Sequence, residues 1–219
     1  MNNQDIPQTF AILQEMKKQW QDSTLESLDK NPFLVLVGCI LSLRTKDQMT
    51  RQVAERFFQK VRNPQQLLIF SEDQISRMIY PVGFYRRKAK NLIDISRILI
   101  ERYQSQVPST LEELLKLPGV GRKTANLVLT VGFGKPGICV DTHVHRIVNR
   151  WGYVKTKNSE KTEMALREKL PLEFWIPINS LLVLFGQNIC LPRRPRCDRC
   201  PIKKYCDQIG IERKEGIVQ

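Results

Sequence analysis

The chain has 219 residues, enough for one large or two small domains with a buried core. Its 35 Lys and Arg residues outnumber its 22 Asp and Glu residues and give a formal net charge of +13. Such an excess favours a polyanionic partner, although a soluble protein that happens to be basic also fits it. No apolar stretch is long enough to span a membrane, and the N-terminal MNNQDIPQTF lacks the pattern of a signal peptide. We therefore expect an intracellular protein, in the cytoplasm or nucleoid if its source is prokaryotic.

Apolar residues recur at helical spacing from the N-terminus onward. A first amphipathic helix is marked by Phe10, Leu13, Met16 and Trp20. The apolar run 33–43 predicts a helix buried in the core. Further helices are predicted over residues 48–61, 87–103 (strongly basic), 124–132, 143–151, 160–169 and 175–188. No alternating strand of useful length is present, so the sequence predicts an all-α fold.

A glycine hairpin separates two predicted helices at LPGVGRKTAN, residues 117–126. The first of these helices opens on a sequence that resembles a capping box, Ser109–Glu112. Gly119 and Gly121 permit positive φ angles and the close approach of another backbone. Backbone N–H groups in such a turn, followed by a helix start, form an anion site. The turn therefore predicts a phosphate contact that reads no bases, although an ordinary connection between two helices also fits it.

Lys123 follows the hairpin by two residues and begins the next helix. The positive end of the helix dipole and the neighbouring cations disfavour its charged form, as burial would. A neutral amine is a nucleophile that can form a Schiff base. From these residues alone, Lys123 is a nucleophile, a phosphate contact or a solvated surface lysine.

A carboxylate follows in GICVDTHVHR, where Asp141 ends an apolar run and precedes a basic helix. Its position predicts that it is the N-cap of that helix. A second carboxylate oxygen, free of the cap, can stabilise positive charge that develops on a sugar. The sequence therefore offers Asp141 as a partner for a nucleophilic Lys123.

Four cysteines crowd into the C-terminal tail with the spacing C-x6-C-x2-C-x5-C. They are Cys190, Cys197, Cys200 and Cys206. Four thiolates can bind Zn²⁺ or an iron–sulfur cluster, and the ligand type alone does not decide between them. The loop between the first two cysteines, LPRRPR, contains Arg193, Arg194 and Arg196. A loop pinned by metal ligands at both ends would present these cations to phosphates.

Taken together, the motifs resemble the endonuclease III family within the helix–hairpin–helix DNA glycosylase superfamily. The matching segments, in chain order, are GFYRRKAKNL, VPSTLEELLKLPGVG, LPGVGRKTANLVL, VDTHVHRIVNR and the four-cysteine tail. The resemblance implies a two-lobed fold and a [4Fe–4S] cluster bound by the four cysteines. The implied domains are a helical barrel over residues 24–134, with the helix–hairpin–helix motif at about 114–132, and a second domain of residues 1–23 and 135–219, with the cluster loop at 190–206. The flipped base is expected between the two lobes.

The resemblance also implies an activity, the excision of oxidised pyrimidines from double-stranded DNA followed by cleavage of the abasic strand. The lysine corresponding to Lys123 attacks the anomeric carbon, and the aspartate corresponding to Asp141 assists departure of the base. The Schiff base then undergoes β-elimination 3′ to the abasic site, after the base has been flipped out of the duplex. The implied DNA-binding residues are Gly119, Val120, Gly121, Arg122, His143, Arg193, Arg194 and Arg196.

Two positions that fill the duplex when the base leaves depart from the family pattern. In ILSLRTKD, Arg44 stands where the family has glutamine, and in GFY, Phe84 stands where it has leucine. Phe84 is either a wedge that replaces lost base stacking or a core residue. Arg44 offers hydrogen-bond donors only, so it favours an orphan base with exposed acceptors, such as guanine.

Two alternatives stay open at this stage. Because of Arg44, a monofunctional glycosylase for mismatched thymine, uracil or adenine is one of them, although relatives specific for mismatched adenine carry a residue such as Ser in place of Lys123. The other is a non-catalytic binder of distorted DNA, which would keep the hairpin and the arginine loop but would not need Lys123 and Asp141 together. The expected partner is double-stranded DNA with damaged bases or abasic sites. We expect the protein to act as a monomer and not to associate with a membrane.

Overall fold

The computed structural model describes residues 1–20 and 30–211. Throughout these ranges the regular structure is helical and contains no β-strand, so the predicted all-α class is confirmed. None of the helices in the described ranges is long and apolar enough to cross a membrane. Residues 30–139 form one compact unit, here called the hairpin unit. Residues 1–20 together with 140–211 form the other, here called the cysteine unit.

The helices of the described residues are numbered in chain order. They are α1 (Ile6–Lys17), α2 (Pro32–Ser42), α3 (Asp47–Phe58), α4 (Pro64–Leu67), α5 (Glu72–Ile79), α6 (Tyr85–Tyr103), α7 (Leu111–Leu115), α8 (Arg122–Leu127) with a π-helical turn (Val128–Gly132), α9 (Thr142–Arg150), α10 (Ser159–Lys169) and α11 (Pro177–Asn188). Short 3₁₀ turns occur at Leu172–Phe174, Cys197–Arg199 and Lys203–Tyr205. The cysteine unit contains α1 and α9–α11, and the hairpin unit contains α2–α8. The predicted boundary between residues 23 and 24 lies outside the described residues.

Helix α2 forms the centre of the hairpin unit because it is apolar on every face. All residues from Phe33 to Leu41 are buried. The Asn31 side chain caps the helix by accepting a hydrogen bond from the N–H of Phe33 at 2.9 Å. Pro32 occupies the first turn, where a missing N–H breaks no helical bond. Helix α2 packs against α3, α6, α8 and the π-helical turn, so it contacts the helix that follows the hairpin.

Helix α7, which leads into the hairpin, begins one residue later than the sequence indicates. Its N-cap is Thr110, whose hydroxyl accepts a hydrogen bond from the N–H of Glu113 at 3.3 Å. The Ser109 hydroxyl instead accepts a hydrogen bond from Nζ of Lys135 at 2.7 Å. The predicted capping box over Ser109–Glu112 is therefore wrong, because a lysine distant in sequence bonds the serine.

The sequence pattern did not predict α4, α5 or the π-helical turn. Helix α5 opens with a capping box in which Ser71 and Gln74 bond each other's backbone N–H groups. The segment predicted as one helix over residues 124–132 ends in the π-helical turn. At the end of that turn a Cβ on Gly132 would lie only 3.1 Å from Cα of Pro32. This close approach joins the end of the hairpin motif to the start of α2.

In the cysteine unit, α11 packs against both α1 and α9. Helix α1 buries Ile6, Phe10 and Leu13, whereas Trp20 lies beyond the end of the helix. A Cβ on Gly186 of α11 would lie 3.1 Å from Cδ1 of Ile147 on α9. The glycine therefore lets α9 approach the helix that leads directly into the first cysteine of the tail.

Candidate functional site

The hairpin between α7 and α8 depends on its first glycine. Gly119 has a φ of +78°, in the left-handed region, and a Cβ there would overlap the side-chain amide of Asn91 on α6. Gly121 is the N-cap of α8, has a negative φ, and would direct a Cβ into open space. The turn is thus held against α6 at Gly119 and is open to an approaching ligand at Gly121.

Val120 shapes this turn from the inside. Its side chain is only 7% exposed, and its N–H donates to the carbonyl of Leu117 at 3.1 Å. Besides the turn, the first turn of α8, which begins at Arg122, presents amides to an anion. These N–H groups have no carbonyl partner four residues earlier within the helix.

Lys123 lies in the first turn of α8 and is exposed. Its side chain is therefore not buried in this unit. Burial raises the pKa of the Cys39 thiol on α2 to about 12, and the charge of Lys123 opposes this rise. Helix α8, which carries Lys123, packs against α2. The residues after Lys123, Thr124–Leu127, are buried and fix the helix on which the amine stands.

Arg44 and Phe84 lie side by side in the hairpin unit. The guanidinium carbon of Arg44 is 5.4 Å from the ring centroid of Phe84, within the range of a cation–π contact. Phe84 is 61% exposed, so it is not a core residue. Both side chains line one recess with Asn91 and with Gly119 of the hairpin. The structure thus brings the two positions predicted to fill the duplex next to the predicted phosphate contact.

Lys88 also lines this recess, and the sequence pattern missed its role by grouping it with the cations of a basic helix. It is 4% exposed, and burial lowers its pKa to about 8. Its Nζ donates to the carbonyl oxygens of Leu41 at 2.8 Å and Leu43 at 2.7 Å, and to Oγ1 of Thr45 at 3.1 Å. The signal that could have revealed it is its spacing of four from Leu92, which lies on the buried face of α6.

In the cysteine unit, Asp141 is the N-cap of α9, as predicted from its position in the sequence. Its Oδ1 accepts hydrogen bonds from the N–H of His143 at 2.8 Å and the N–H of Val144 at 3.0 Å. Both capping bonds use this one oxygen. Nδ1 of His143 lies 3.2 Å from a guanidinium nitrogen of Arg146, so the imidazole is turned along α9.

Two arginines of α9, one helical turn apart, hold the segment around the first cysteine. Arg146 donates to the carbonyl of Cys190 at 2.9 Å. Arg150 donates to the carbonyl of Leu191 at 2.7 Å and to that of Pro192 at 2.8 Å. Sequence reasoning missed both arginines. Their spacing of four in HRIVNR places them on one face of the helix, but no signal in the sequence marks the backbone carbonyls that they bond.

The predicted cationic loop is solvent-facing, since Arg193, Arg194 and Arg196 are all exposed. Arg194 has a φ of +52°, and the backbone N–H of Arg196 donates to the carbonyl of Ile189 at 2.9 Å. The loop therefore turns back on the end of α11, where the Arg196 guanidinium donates to the carbonyl of Asn188 at 3.2 Å. The exposed side chains of Arg193 and Arg194 face solvent. This arrangement agrees with a role in binding phosphates.

The residues around the four thiols fit an iron–sulfur cluster. The recess that the cysteines share is otherwise walled largely by apolar side chains, among them Trp151, Phe185, Ile189 and Pro195. Burial raises the pKa of Cys200 to about 11, and a bound metal would stabilise the thiolate form there. Nη1 of Arg150 donates to Sγ of Cys190 at 3.4 Å, the kind of hydrogen bond that tunes a cluster. Within the described residues, no group of three His, Cys, Asp or Glu side chains is arranged to hold a single ion.

Comparison with known proteins decides the family. A family model described as HhH-GPD superfamily base excision DNA repair protein matches residues 37–172. A second model, the iron–sulfur binding domain of endonuclease III, matches residues 190–206. Endonuclease III of Thermotoga maritima is 50% identical over 179 residues, which cover 82% of this chain and 84% of that one. The chain belongs to the endonuclease III family.

Two further likenesses extend over almost the full chain. Endonuclease III of Bacillus subtilis is 37% identical over 98% of this chain and 99% of its own. A solved structure of a trapped endonuclease III–DNA covalent intermediate, an estranged-adenine complex, is 35% identical and has a TM-score of 0.82. It covers 95% of this chain and 97% of that one. As an endonuclease III family member, the chain has the helix–hairpin–helix glycosylase fold, binds DNA and carries a [4Fe–4S] cluster in its four-cysteine loop.

Proposed function

We propose that this protein removes oxidised pyrimidines from double-stranded DNA and then cleaves the abasic strand. As an endonuclease III family member it is a base excision repair DNA glycosylase with AP lyase activity. The observation that carries the proposal is the exposed amine of Lys123, placed directly after the glycine hairpin. The enzyme acts as a monomer inside the cell, on duplexes that contain damaged bases or abasic sites.

Lys123 is the proposed nucleophile. Its neutral Nζ attacks the anomeric carbon of the flipped nucleotide, and the base departs with the electron pair of the glycosidic bond and takes up a proton. The attack leaves an aminal at C1′ once the nitrogen has lost one proton. Its C1′–O4′ bond then breaks as the nitrogen lone pair forms the C1′=N bond and O4′ takes up a proton, which gives the protonated Schiff base. This Schiff base makes a C2′ proton acidic. Loss of that proton expels the 3′ phosphate by β-elimination, and water then hydrolyses the imine and frees the amine.

Asp141 is proposed to stabilise the positive charge that develops on the sugar as the base departs. Its Oδ1 accepts both capping hydrogen bonds, which leaves Oδ2 for this task. The carboxylate would therefore act while it still holds the start of α9.

The remaining proposed contacts bind the DNA backbone and the orphan base. Amides of the first turn of α8, with Gly121 exposed beside them, would bind phosphates without reading sequence. The exposed arginines between Cys190 and Cys197 would bind phosphates as well. Phe84 would fill the stack, and Arg44 would donate to the base left without a partner. The [4Fe–4S] cluster would hold the shape of the arginine loop.

Replacing Lys123 with Gln should abolish covalent trapping of the protein on an abasic duplex by borohydride, because the amide cannot form a Schiff base. Affinity for the same duplex should be retained, since Gly121 and the arginine loop are unchanged. Denaturing electrophoresis measures the trapped complex, with Lys60→Gln as a control at an exposed lysine. Trapping of the Lys123→Gln variant would refute the assignment. A wild-type protein that binds but is never trapped would lack the lyase activity, and release of thymine glycol would then distinguish a monofunctional glycosylase from a non-catalytic DNA binder.

Replacing Asp141 with Asn should separate capping from catalysis, because Asn caps helices as well as Asp but carries no charge. The free energy of unfolding should change by no more than about 0.5 kcal/mol. Release of thymine glycol from duplex DNA should slow by roughly 10²–10³-fold, as for the loss of one preorganised stabilising group. Asn158→Asp, the reverse exchange at the N-cap of α10, serves as the matched control. Excision at the wild-type rate by Asp141→Asn would show that the carboxylate is only a cap.

The wild-type enzyme should process thymine glycol opposite guanine faster than opposite adenine, because Arg44 offers donors only and guanine presents two acceptors. A difference of roughly tenfold, equivalent to about 1.4 kcal/mol, is expected for one good pairing. Arg44→Gln should remove most of it, since an amide can both donate and accept. Single-turnover rates on the two duplexes give the ratio. A ratio that Arg44→Gln leaves unchanged would exclude Arg44 from opposite-base recognition.

A further inference from the structure

Two strained loops carry Arg44 and Phe84. Arg44 lies between α2 and α3 with a φ of +51°, and Phe84 lies between α5 and α6 with a φ of +58°. Both angles fall in the left-handed region, which costs a non-glycine residue free energy unless its surroundings fix it. The contacts that hold these two loops therefore decide where both side chains stand.

The first loop is held by the buried ammonium of Lys88. Its three protons are donated to the carbonyls of Leu41 and Leu43 and to the hydroxyl of Thr45. All three acceptors are neutral oxygens, and the two carbonyls belong to the C-terminal end of α2. That end carries the negative pole of the helix dipole. The carbonyls of the helix end therefore balance the ammonium charge, as a carboxylate partner would, and the ammonium caps α2.

The second loop is tied to the first by the same hydroxyl. Oγ1 of Thr45 accepts from Nζ of Lys88 at 3.1 Å and from the N–H of Gly83 at 3.1 Å, and it donates to the carbonyl of Leu43 at 3.3 Å. One donation and two acceptances are the full capacity of a hydroxyl. Removing the hydroxyl would therefore break every link between Gly83 and the ammonium.

Gly83 allows the two loops to come together at all. A Cβ at this position would lie 2.5 Å from the carbonyl oxygen of Arg44. The backbone of Gly83 therefore packs directly on the peptide group of Arg44, and Phe84 follows at once. This close approach explains why the guanidinium and the ring are only 5.4 Å apart although they come from different loops.

We propose that Lys88 and Thr45 form a clamp that holds Arg44 and Phe84 as one preassembled wedge, with Lys88 as a positioning residue that does not touch DNA. The proposal rests on the proposed function, in which this pair enters the duplex. A buried cation is a costly way to fill a core, and an apolar residue of similar volume would pack as well. The depressed pKa of Lys88 records that cost. In return, the buried ammonium donates the three hydrogen bonds that hold the loop of Arg44 in place.

The clamp can be tested without DNA by amide hydrogen exchange. Lys88→Met keeps the length of the side chain and removes the ammonium, and Thr45→Val keeps its shape and removes the hydroxyl. In both variants the backbone amides of residues 43–45 and 82–84 should exchange at least about tenfold faster. The reason is that these loops can then open without first breaking the hydrogen bonds of the clamp. Thr45→Ser retains the hydroxyl and should exchange as wild type does. Unchanged exchange in Thr45→Val overturns the clamp, even if Lys88→Met fails to fold.

The positioning role is tested by comparing two abasic substrates, a duplex and a single strand, with strand cleavage as the readout. A single strand has no orphan base and no stack to fill, so it needs Lys123 but not the wedge. Lys88→Met and Thr45→Val should lower kcat/KM on the duplex roughly tenfold, as for a misplaced binding group, and leave the single strand within about twofold. Equal losses on both substrates, or no loss on the duplex, overturn the positioning role.

Arg44→Ala and Phe84→Ala separate this proposal from the proposed function. If they slow cleavage of the duplex but the clamp variants do not, the wedge acts without the clamp and the inference fails. If exchange rises in the clamp variants while Arg44→Ala and Phe84→Ala cleave the duplex at the wild-type rate, the clamp stands as a structural device. In that case the assignment of Arg44 and Phe84 to the duplex fails.

Discussion

The burial of α2 is the constraint on which the rest of the hairpin unit depends. A helix with consecutive buried residues from Phe33 to Leu41 folds only if other helices close around every face. Helix α8 and the π-helical turn cover part of it and bring the amine of Lys123 to the surface near Cys39. Helices α3 and α6 cover another part and bring Arg44 beside Phe84 at its C-terminal end. One apolar helix therefore supports both the proposed nucleophile and the proposed wedge.

Local patterns in the sequence were enough to predict the all-α class, the buried α2 and most of the longer helices, because apolar periodicity and turn glycines act over a few residues. Predictions failed where a distant side chain competed with a local one. Ser109 has the composition of an N-cap, but Lys135 takes its hydroxyl, so α7 starts from Thr110. Helix α4 is too short to show a period. The π-helical turn lies where Gly132 approaches Pro32, a contact that spans a hundred residues and leaves no local pattern.

The residues of the candidate site also fall into those that local sequence patterns indicate and those that depend on distant contacts. Lys123, Asp141 and the four cysteines could be named from the sequence because their motifs are short and contiguous. The burial of Lys88 and the exposure of Phe84 could not, since composition alone makes the first a surface cation and leaves the second undecided. Arg146 and Arg150 were missed for a related reason. Their partners are backbone carbonyls around Cys190 in a loop some forty residues away, and no sequence motif marks a carbonyl.

The central claim is that a single framework presents a nucleophilic amine and a preassembled wedge to one damaged site in DNA. A crystal structure of the borohydride-reduced complex with an abasic duplex tests it most directly. The account predicts a covalent bond from Nζ of Lys123 to C1′, with Arg44 and Phe84 inside the duplex and Lys88 still donating to the carbonyls of Leu41 and Leu43. A bond to a different amine, or a duplex that leaves Arg44 and Phe84 in solvent, would contradict it.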